Sequence, residues 1–244
     1  MARNDLNYGS RKCHSDHTRY IPCYEKCRDL FLCLLLIAAA AVQVQGVAYA
    51  GPDPSEEPQT ASLIQALKSG GFVVYLRHAA TDRTQVDQDR NDLTTCTSQR
   101  NLSDTGRAQA RAIGEAVSAL RIPIGSVITS PYCRCQDTAE LAFGKSEVTD
   151  DLRFGLGDDI QQTAHLSQAL KNRLSTPPAP GTNTVLVSHT ANLKEAAGIW
   201  PQPEGAAFLF RPLPGVGFEY IGRVPPEAWI QQLPAASVTS AFIE

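Results

Sequence analysis

An apolar run, Phe72-Val73-Val74-Tyr75-Leu76, ends in adjacent Arg77 and His78, and a second, Thr184-Val185-Leu186-Val187-Ser188, ends in His189. A neutral imidazole is a nucleophile near physiological pH, and a guanidinium fork matches the oxygens of a phosphate, so these residue types point to phosphoryl chemistry. Both runs read as buried strands, which carry their last side chains to the carboxyl edge where open α/β sheets bind ligands. If the two strands are neighbours in one parallel sheet, the imidazoles lie side by side. Between them a strand ends at Ser130-Pro131 and a helix starts within a residue or two. Arg134 then projects from its first turn back over the same edge, where a helix N-terminus also favours anions.

The periodicity that positions these groups alternates along the chain. Helices are expected from Ala61 to Ser69, from the N-cap Ser103 with Asp104 in the first turn through Leu120, from Tyr132 to Phe143, from Ile160 to Leu174 and from Ala191 to Ile199. Strands are expected at Phe72–Arg77, Ser126–Thr129, Glu147–Thr149, Thr184–Ser188, Ala206–Arg211 and Phe218–Arg223. Parallel neighbours require crossovers, so this alternation implies a single three-layer α/β domain over residues 61–244, a mostly parallel central sheet flanked by helices. Residues 82–101 are polar and too long for a simple turn, which marks a candidate functional loop.

Composition narrows the partners. With 43% hydrophobic and 19% charged residues the chain is ordinary globular material, which excludes fibrous and disordered classes. From Gly51 onward it carries 16 Lys/Arg against 21 Asp/Glu. That surface offers no long-range attraction to nucleic acid, so a phosphate site must be a local basic pocket and the expected partner a small phosphorylated substrate. The uncharged stretch Leu30–Val42 follows Lys26 and Arg28 and leads to Ala48-Tyr49-Ala50, the pattern of a signal peptide over residues 1–50, with an uncleaved anchor as the alternative. The acidic, proline-rich residues 51–60 then form a linker, the protein is periplasmic or secreted, and no stable membrane partner is expected once the leader is cleaved. Four of the seven cysteines, Cys13, Cys23, Cys27 and Cys33, lie in the leader. In an oxidising compartment Cys96, Cys133 and Cys135 make one bridge and leave one thiol free, with Cys96 paired to Cys133 or to Cys135.

Leu76-Arg77-His78, Arg100-Asn101-Leu102-Ser103 with Gly106, Ser130-Pro131 with Arg134 and Thr138-Ala139-Glu140, and Val187-Ser188-His189 occur in an order that resembles the histidine phosphatase superfamily, the phosphoglycerate-mutase-like fold, over about residues 70–223. The resemblance implies a phosphomonoester hydrolase in which His78 attacks phosphorus and forms a phosphohistidine, while Arg77, Arg134 and His189 donate to the phosphoryl oxygens. It implies no metal and no other cofactor. Two departures stand out. Ala79 occupies a position that is commonly Gly, and Leu152-Arg153 is followed by Phe154 where many members carry a Glu that protonates the leaving oxygen. Glu204 is the first choice for that acid, with Asp151 and Asp82 as alternatives.

The remaining polar residues have plainer readings. His165 and the leader's His14 and His17 lack partners of this kind; Asp87, Asp89, Asp92 and Asp104 read as solvated loop and helix capping; Trp200 and Trp229 read as core or lid packing. Arg100 either touches phosphate or pairs with a carboxylate, and Asn192 either meets substrate or caps its helix. The rival functions are a non-catalytic phosphate-binding or regulatory protein and, disfavoured by the missing Glu, a phosphomutase. The leader reading predicts that Edman sequencing of the exported protein begins at Gly51; residues preceding Ala50 in that protein would contradict it.

Overall fold

The computed structural model describes residues 60–90, 92–155 and 159–231. The chain divides into two units, Met1–Ala50 and Gly51–Glu244, and the described residues belong to the second. The signal peptide, its four cysteines and the linker up to residue 59 lie outside the described residues.

Helix α1 (Thr60–Leu67) buries Leu63, Ile64 and Leu67 and leads into β1 (Val73–Arg77). After the long loop come α2 (Asp104–Ala119), β2 (Ile124–Thr129), α3 (Cys133–Phe143), β3 (Glu147–Val148), α4 (Ile160–Ser175), β4 (Asn183–Ser188), α5 (Thr190–Ala197), the hairpin β5 (Ala207–Leu213) and β6 (Gly217–Val224), and α6 (Pro226–Gln231). The strands form one sheet in the order β3-β2-β4-β1-β5-β6. Strands β3, β2, β4 and β1 run parallel, and β5 and β6 are antiparallel additions on the β1 side. Alternation along β1 shows why its sequence is apolar throughout: Val74 and Leu76 enter one core with residues of α1, α2 and α6, while Val73 and Tyr75 enter the other with residues of α4 and α5.

Boundaries differ from the sequence reading in small ways. Strand β2 starts at Ile124, where pairing with Asn183 holds it, and α5 stops at Ala197, where Gly198 takes the left-handed conformation that an L side chain resists. Helix α6 has too few residues for periodicity to be legible, yet its Trp229 is buried in the first core. Trp200, by contrast, is 57% exposed and packs in no core.

Ser103 caps α2 by accepting from the Gly106 amide at 3.1 Å, and its own amide donates to the Ala80 carbonyl at 3.1 Å. The helix therefore begins in direct contact with the chain that follows His78. A Cβ at Gly106 would lie 1.8 Å from the Ala80 carbonyl oxygen. A Gly→Ala change inside a helix gains at most about 1 kcal/mol in propensity, whereas overpacking against backbone costs about 1–3 kcal/mol or more. Gly106→Ala is thus expected to destabilise the protein, measured as a lower urea midpoint; an unchanged or higher midpoint would show that this approach is not tight.

Candidate active site

The pairing of β1 with β4 sets the centre of the site. The last rung of the ladder joins Arg77 to Ser188, and the His78 amide continues it by donating to the Ser188 carbonyl at 3.0 Å. His78 and His189 therefore stand on the next rung, ring centroids 5.5 Å apart, at 2% and 1% exposure. Strand β2 closes the other side of β4, where the Ser130 amide donates to the Val187 carbonyl, and the first turn of α3 carries Arg134 at 1% exposure.

The hydrogen bonds assign the tautomers. His78 Nδ1 lies 2.9 Å from the Ala79 carbonyl oxygen, which can only accept, so Nδ1 carries the proton and the Nε2 lone pair is left for attack. His189 Nδ1 faces Arg134 Nη2 at 3.4 Å, which can only donate, so His189 is protonated on Nε2 and donates to Ser130 Oγ at 2.8 Å. The Tyr75 hydroxyl donates to the His189 carbonyl at 2.5 Å and fixes the backbone there. Burial first, and then the Arg134 guanidinium, hold both imidazoles well below the usual histidine range. Both rings are neutral at neutral pH.

Each arginine is tied at one end and open at the other. Arg77 donates from Nη1 to the Pro201 carbonyl at 3.1 Å and from Nη2 to Glu204 Oε1 at 3.2 Å. Arg134 donates from Nη1 to Asp87 Oδ1 at 2.9 Å and lies 4.3 Å above the Tyr132 ring. Nε of Arg77 and Nε of Arg134 are both buried with no acceptor among the described residues. Unspent guanidinium donors beside neutral imidazoles are chemically suited to a small oxyanion. Among the described residues no three His, Cys, Asp or Glu side chains are grouped to hold a metal ion, and no helix is long and apolar enough to cross a membrane.

The chain after His78 is pinned from three directions. Ala79 N–H donates to Thr138 Oγ1, Ala80 N–H to Gln109 Oε1 and Thr81 N–H to Glu204 Oε2. Thr138 also donates to the Arg134 carbonyl at 2.6 Å, so one hydroxyl couples α3 to the loop after His78. The methyl of Ala79, at a position commonly Gly in the resembling family, is fully buried against Leu102, Ala110 and Leu141 and fills a small apolar cluster.

The structure places the other sequence candidates as follows. Glu204 lies at the site, but it accepts from Arg77, the Thr81 amide and the Thr81 hydroxyl at 3.0–3.2 Å. Asp151 pairs with Arg173 at 2.6 Å, and Asp82 accepts from Thr84 and Gln85 in its own loop. Asp87, read from sequence as solvated loop, is instead a partner of Arg134 with a side chain only 10% exposed; the fold of its loop, invisible to local pattern, turns it inward. Arg100 contributes to holding both imidazoles down and makes no ion pair among the described residues. Asn192 is buried and neither caps its helix nor stands free: its amide donates to the Arg153 carbonyl at 2.7 Å. His165 is exposed.

Cys96 and Cys133 form a disulfide, leaving Cys135 free and buried with its Sγ 3.5 Å from His189 Nε2. Burial pushes the Cys135 thiol up to about 12, so it stays protonated. The bridge joins the long loop to the start of α3, and Gln99 reinforces it by accepting from the Cys133 amide at 3.0 Å. Sequence reasoning missed Gln99, Ser130, Tyr132 and Phe154 as site residues. Ser130 already stood in the strand-end motif, where a hydroxyl beside a histidine is a legible signal. Phe154, standing where a carboxylate is common, lies 5.2 Å from the His189 ring and edge-on to Tyr132.

Residues 73–158 match the family model of the histidine phosphatase superfamily (branch 1). No curated protein matches the chain. Among solved structures, a phosphoserine phosphatase from Entamoeba histolytica in complex with phosphoserine is 13% identical, with 64% of this chain and 98% of that chain covered and a TM-score of 0.45. The protein histidine phosphatase SixA in complex with tungstate is 17% identical, covering 64% and 97%, with a TM-score of 0.43. A mycobacterial glucosyl-3-phosphoglycerate phosphatase is 17% identical, covering 62% and 97%, with a TM-score of 0.46.

The depressed imidazoles have a measurable consequence. Below about pH 6.5 the unfolded chain binds protons that folded His78 and His189 refuse, so stability falls with pH by up to about 1.4 kcal/mol per unit for each ring. Urea unfolding at pH 7.5, 6.5 and 5.5 is expected to show this decline, and His78→Gln should make it shallower. An identical slope in the variant would mean that His78 titrates normally.

Proposed function

We propose, from the match of residues 73–158 to the family model of the histidine phosphatase superfamily (branch 1), that this chain hydrolyses phosphomonoesters by way of a phosphohistidine on His78. The observation that carries the reading is a neutral, buried His78 with its Nε2 lone pair free, the His189 ring 5.5 Å away, the buried Arg134 beside His189, and Arg77 with a side chain only 12% exposed. In the first step the Nε2 lone pair attacks phosphorus, the P–O bond to the leaving group breaks, and its electron pair departs with the leaving oxygen. The Nδ1–H bond to the Ala79 carbonyl stabilises the positive charge that develops on the ring. In the second step water attacks phosphorus, the P–N bond breaks, and the neutral imidazole returns. Splitting one displacement into two gives each a better nucleophile or leaving group than direct hydrolysis has.

Arg77 and Arg134 donate to the equatorial oxygens, where charge is concentrated in the transition state, and His189 holds Arg134 by accepting from its Nη2. Glu204 keeps Arg77 in place through its contacts with Arg77 and Thr81. Glu204, the carboxyl group at the site, is the candidate that protonates the leaving oxygen. The Cys96–Cys133 bridge supports residence in an oxidising compartment, periplasmic or extracellular, in keeping with the leader. A second reading, a phosphate-binding protein without turnover, draws on the same ion-paired state of Glu204 and Asp87. A mutase is disfavoured, since Phe154 rather than a carboxylate faces His189.

Hydrolysis of p-nitrophenyl phosphate by the purified protein tests the proposal. The wild type is expected to release phosphate, and His78→Ala to lose about 10⁴-fold or more, as removal of a nucleophile does. Acid-labile, base-stable label should accumulate on the wild type from a labelled substrate. Phosphate binding without release would leave the binding-protein reading standing, and a fully active His78→Ala would remove the mechanism.

A further inference from the structure

Asp87 is a loop residue that turns its carboxylate onto the least exposed arginine of the site. Its Oδ1 accepts from Arg134 Nη1 at 2.9 Å and from the Arg100 amide at 3.0 Å, and the Arg100 carbonyl accepts from the same Nη1 at 3.3 Å. The Nη1 corner of the guanidinium is thereby used up. What is left is the side edge, Nε–H with Nη2–H, whose two N–H bonds run parallel and match two oxygens of a phosphate. On that edge Nη2 sits 3.4 Å from His189 Nδ1, and Nε is buried without an acceptor among the described residues. The bound corner and the open edge are two sides of one planar group, so fixing the first aims the second.

The loop that presents Asp87 is itself anchored to the helix that carries Arg134. The Cys96–Cys133 disulfide and the Gln99 side chain attach it to the first residue of α3, and the Gln88 amide donates to the Ser98 carbonyl at 2.9 Å next to Asp87. Both partners of the Asp87–Arg134 pair are therefore delivered by one stapled unit.

We propose that Asp87 is a positioning residue, which holds the Nη1 end of Arg134 so that its Nε/Nη2 edge meets two phosphoryl oxygens beside His189. The proposal rests on the phosphate-site reading above but not on turnover. Charge and geometry make opposite demands on a variant at this position. If Asp87 acted only as a counter-charge, or as an internal competitor for Arg134, its neutralisation would tighten anion binding. If it acts by holding the guanidinium, removing the acceptor loosens Arg134 and weakens binding even though the site becomes more positive.

Asp87→Asn keeps an oxygen that can accept from Nη1 and from the Arg100 amide, while Asp87→Ala removes it. Titration calorimetry of the purified wild type and both variants with inorganic phosphate and with orthovanadate reads binding directly, beside kcat and KM for p-nitrophenyl phosphate and the thermal midpoint. Asp87→Ala is expected to weaken anion binding and lower kcat/KM by about 10²-fold, the scale of an ångström-sized misplacement of a binding group. Asp87→Asn should recover most of that loss. Equal or tighter binding by Asp87→Ala would overturn the proposal, as would equal losses in both variants, which would make charge the cause. If Asp87→Ala does not fold, Asp87→Ser, too short to reach Arg134, replaces it with the same expectation. A wild type that binds anion without hydrolysing substrate would end the hydrolase reading and leave this inference intact; one that binds neither anion would overturn it.

Discussion

Parallel pairing of β1 with β4 in one register is the constraint on which everything else in this site depends. Because Arg77 lies opposite Ser188, the next residue on each strand is a histidine, and the two rings meet without any help from a loop. A slip of one residue would send one of the two histidines to the other face of the sheet, since strand side chains alternate with a period of two. The buried alternation of Val73 to Leu76 between two cores makes such a slip expensive, so the geometry of the site is underwritten by the packing of the whole domain.

Gathering cations in a buried hollow is unfavourable in itself, and the structure offsets it one arginine at a time. Glu204 is set against Arg77 and Asp87 against Arg134, each partly buried and each sharing its oxygens with a backbone amide. Pairs of this kind are weak sources of stability, because desolvation consumes most of the Coulombic gain. Their value is in direction: each carboxylate uses up one part of a guanidinium and leaves Nε unspent. The imidazoles respond to the same field by remaining neutral.

The scaffold around these groups is held by few but well-placed contacts. Gly106 lets α2 begin against Ala80, Thr138 joins α3 to the Ala79 amide, and the disulfide brings the polar loop over Arg134. Ala79 shows how a departure from a familiar pattern is absorbed, since its methyl group fills a pocket with Leu102 and Ala110. Phe154 is the opposite case, a departure that sets an aromatic ring beside His189.

Much of this was legible before any coordinates. Strand-end positions marked Arg77, His78 and His189, the Ser-Pro turn marked Arg134, and the N-cap Ser103 marked the start of α2, because periodicity and capping are local properties written in neighbouring residues. The choice of Cys133 rather than Cys135 as the partner of Cys96 was left open: both sit at the start of one helix, and only its orientation shows which faces the loop and which the core. Asp87 was misread for the same reason, as its partner is 47 residues away and nothing nearby announces it. Glu204 was found as a neighbour of the site, but its hydrogen-bond donors come from residues more than a hundred positions earlier. By itself the order of residues determined which side chains gather at the site and which strand ends present them. Which edge of each arginine stays open, which proton each imidazole holds and which carboxylates are tied up are decided by contacts between distant segments, and those exist only once the chain has packed.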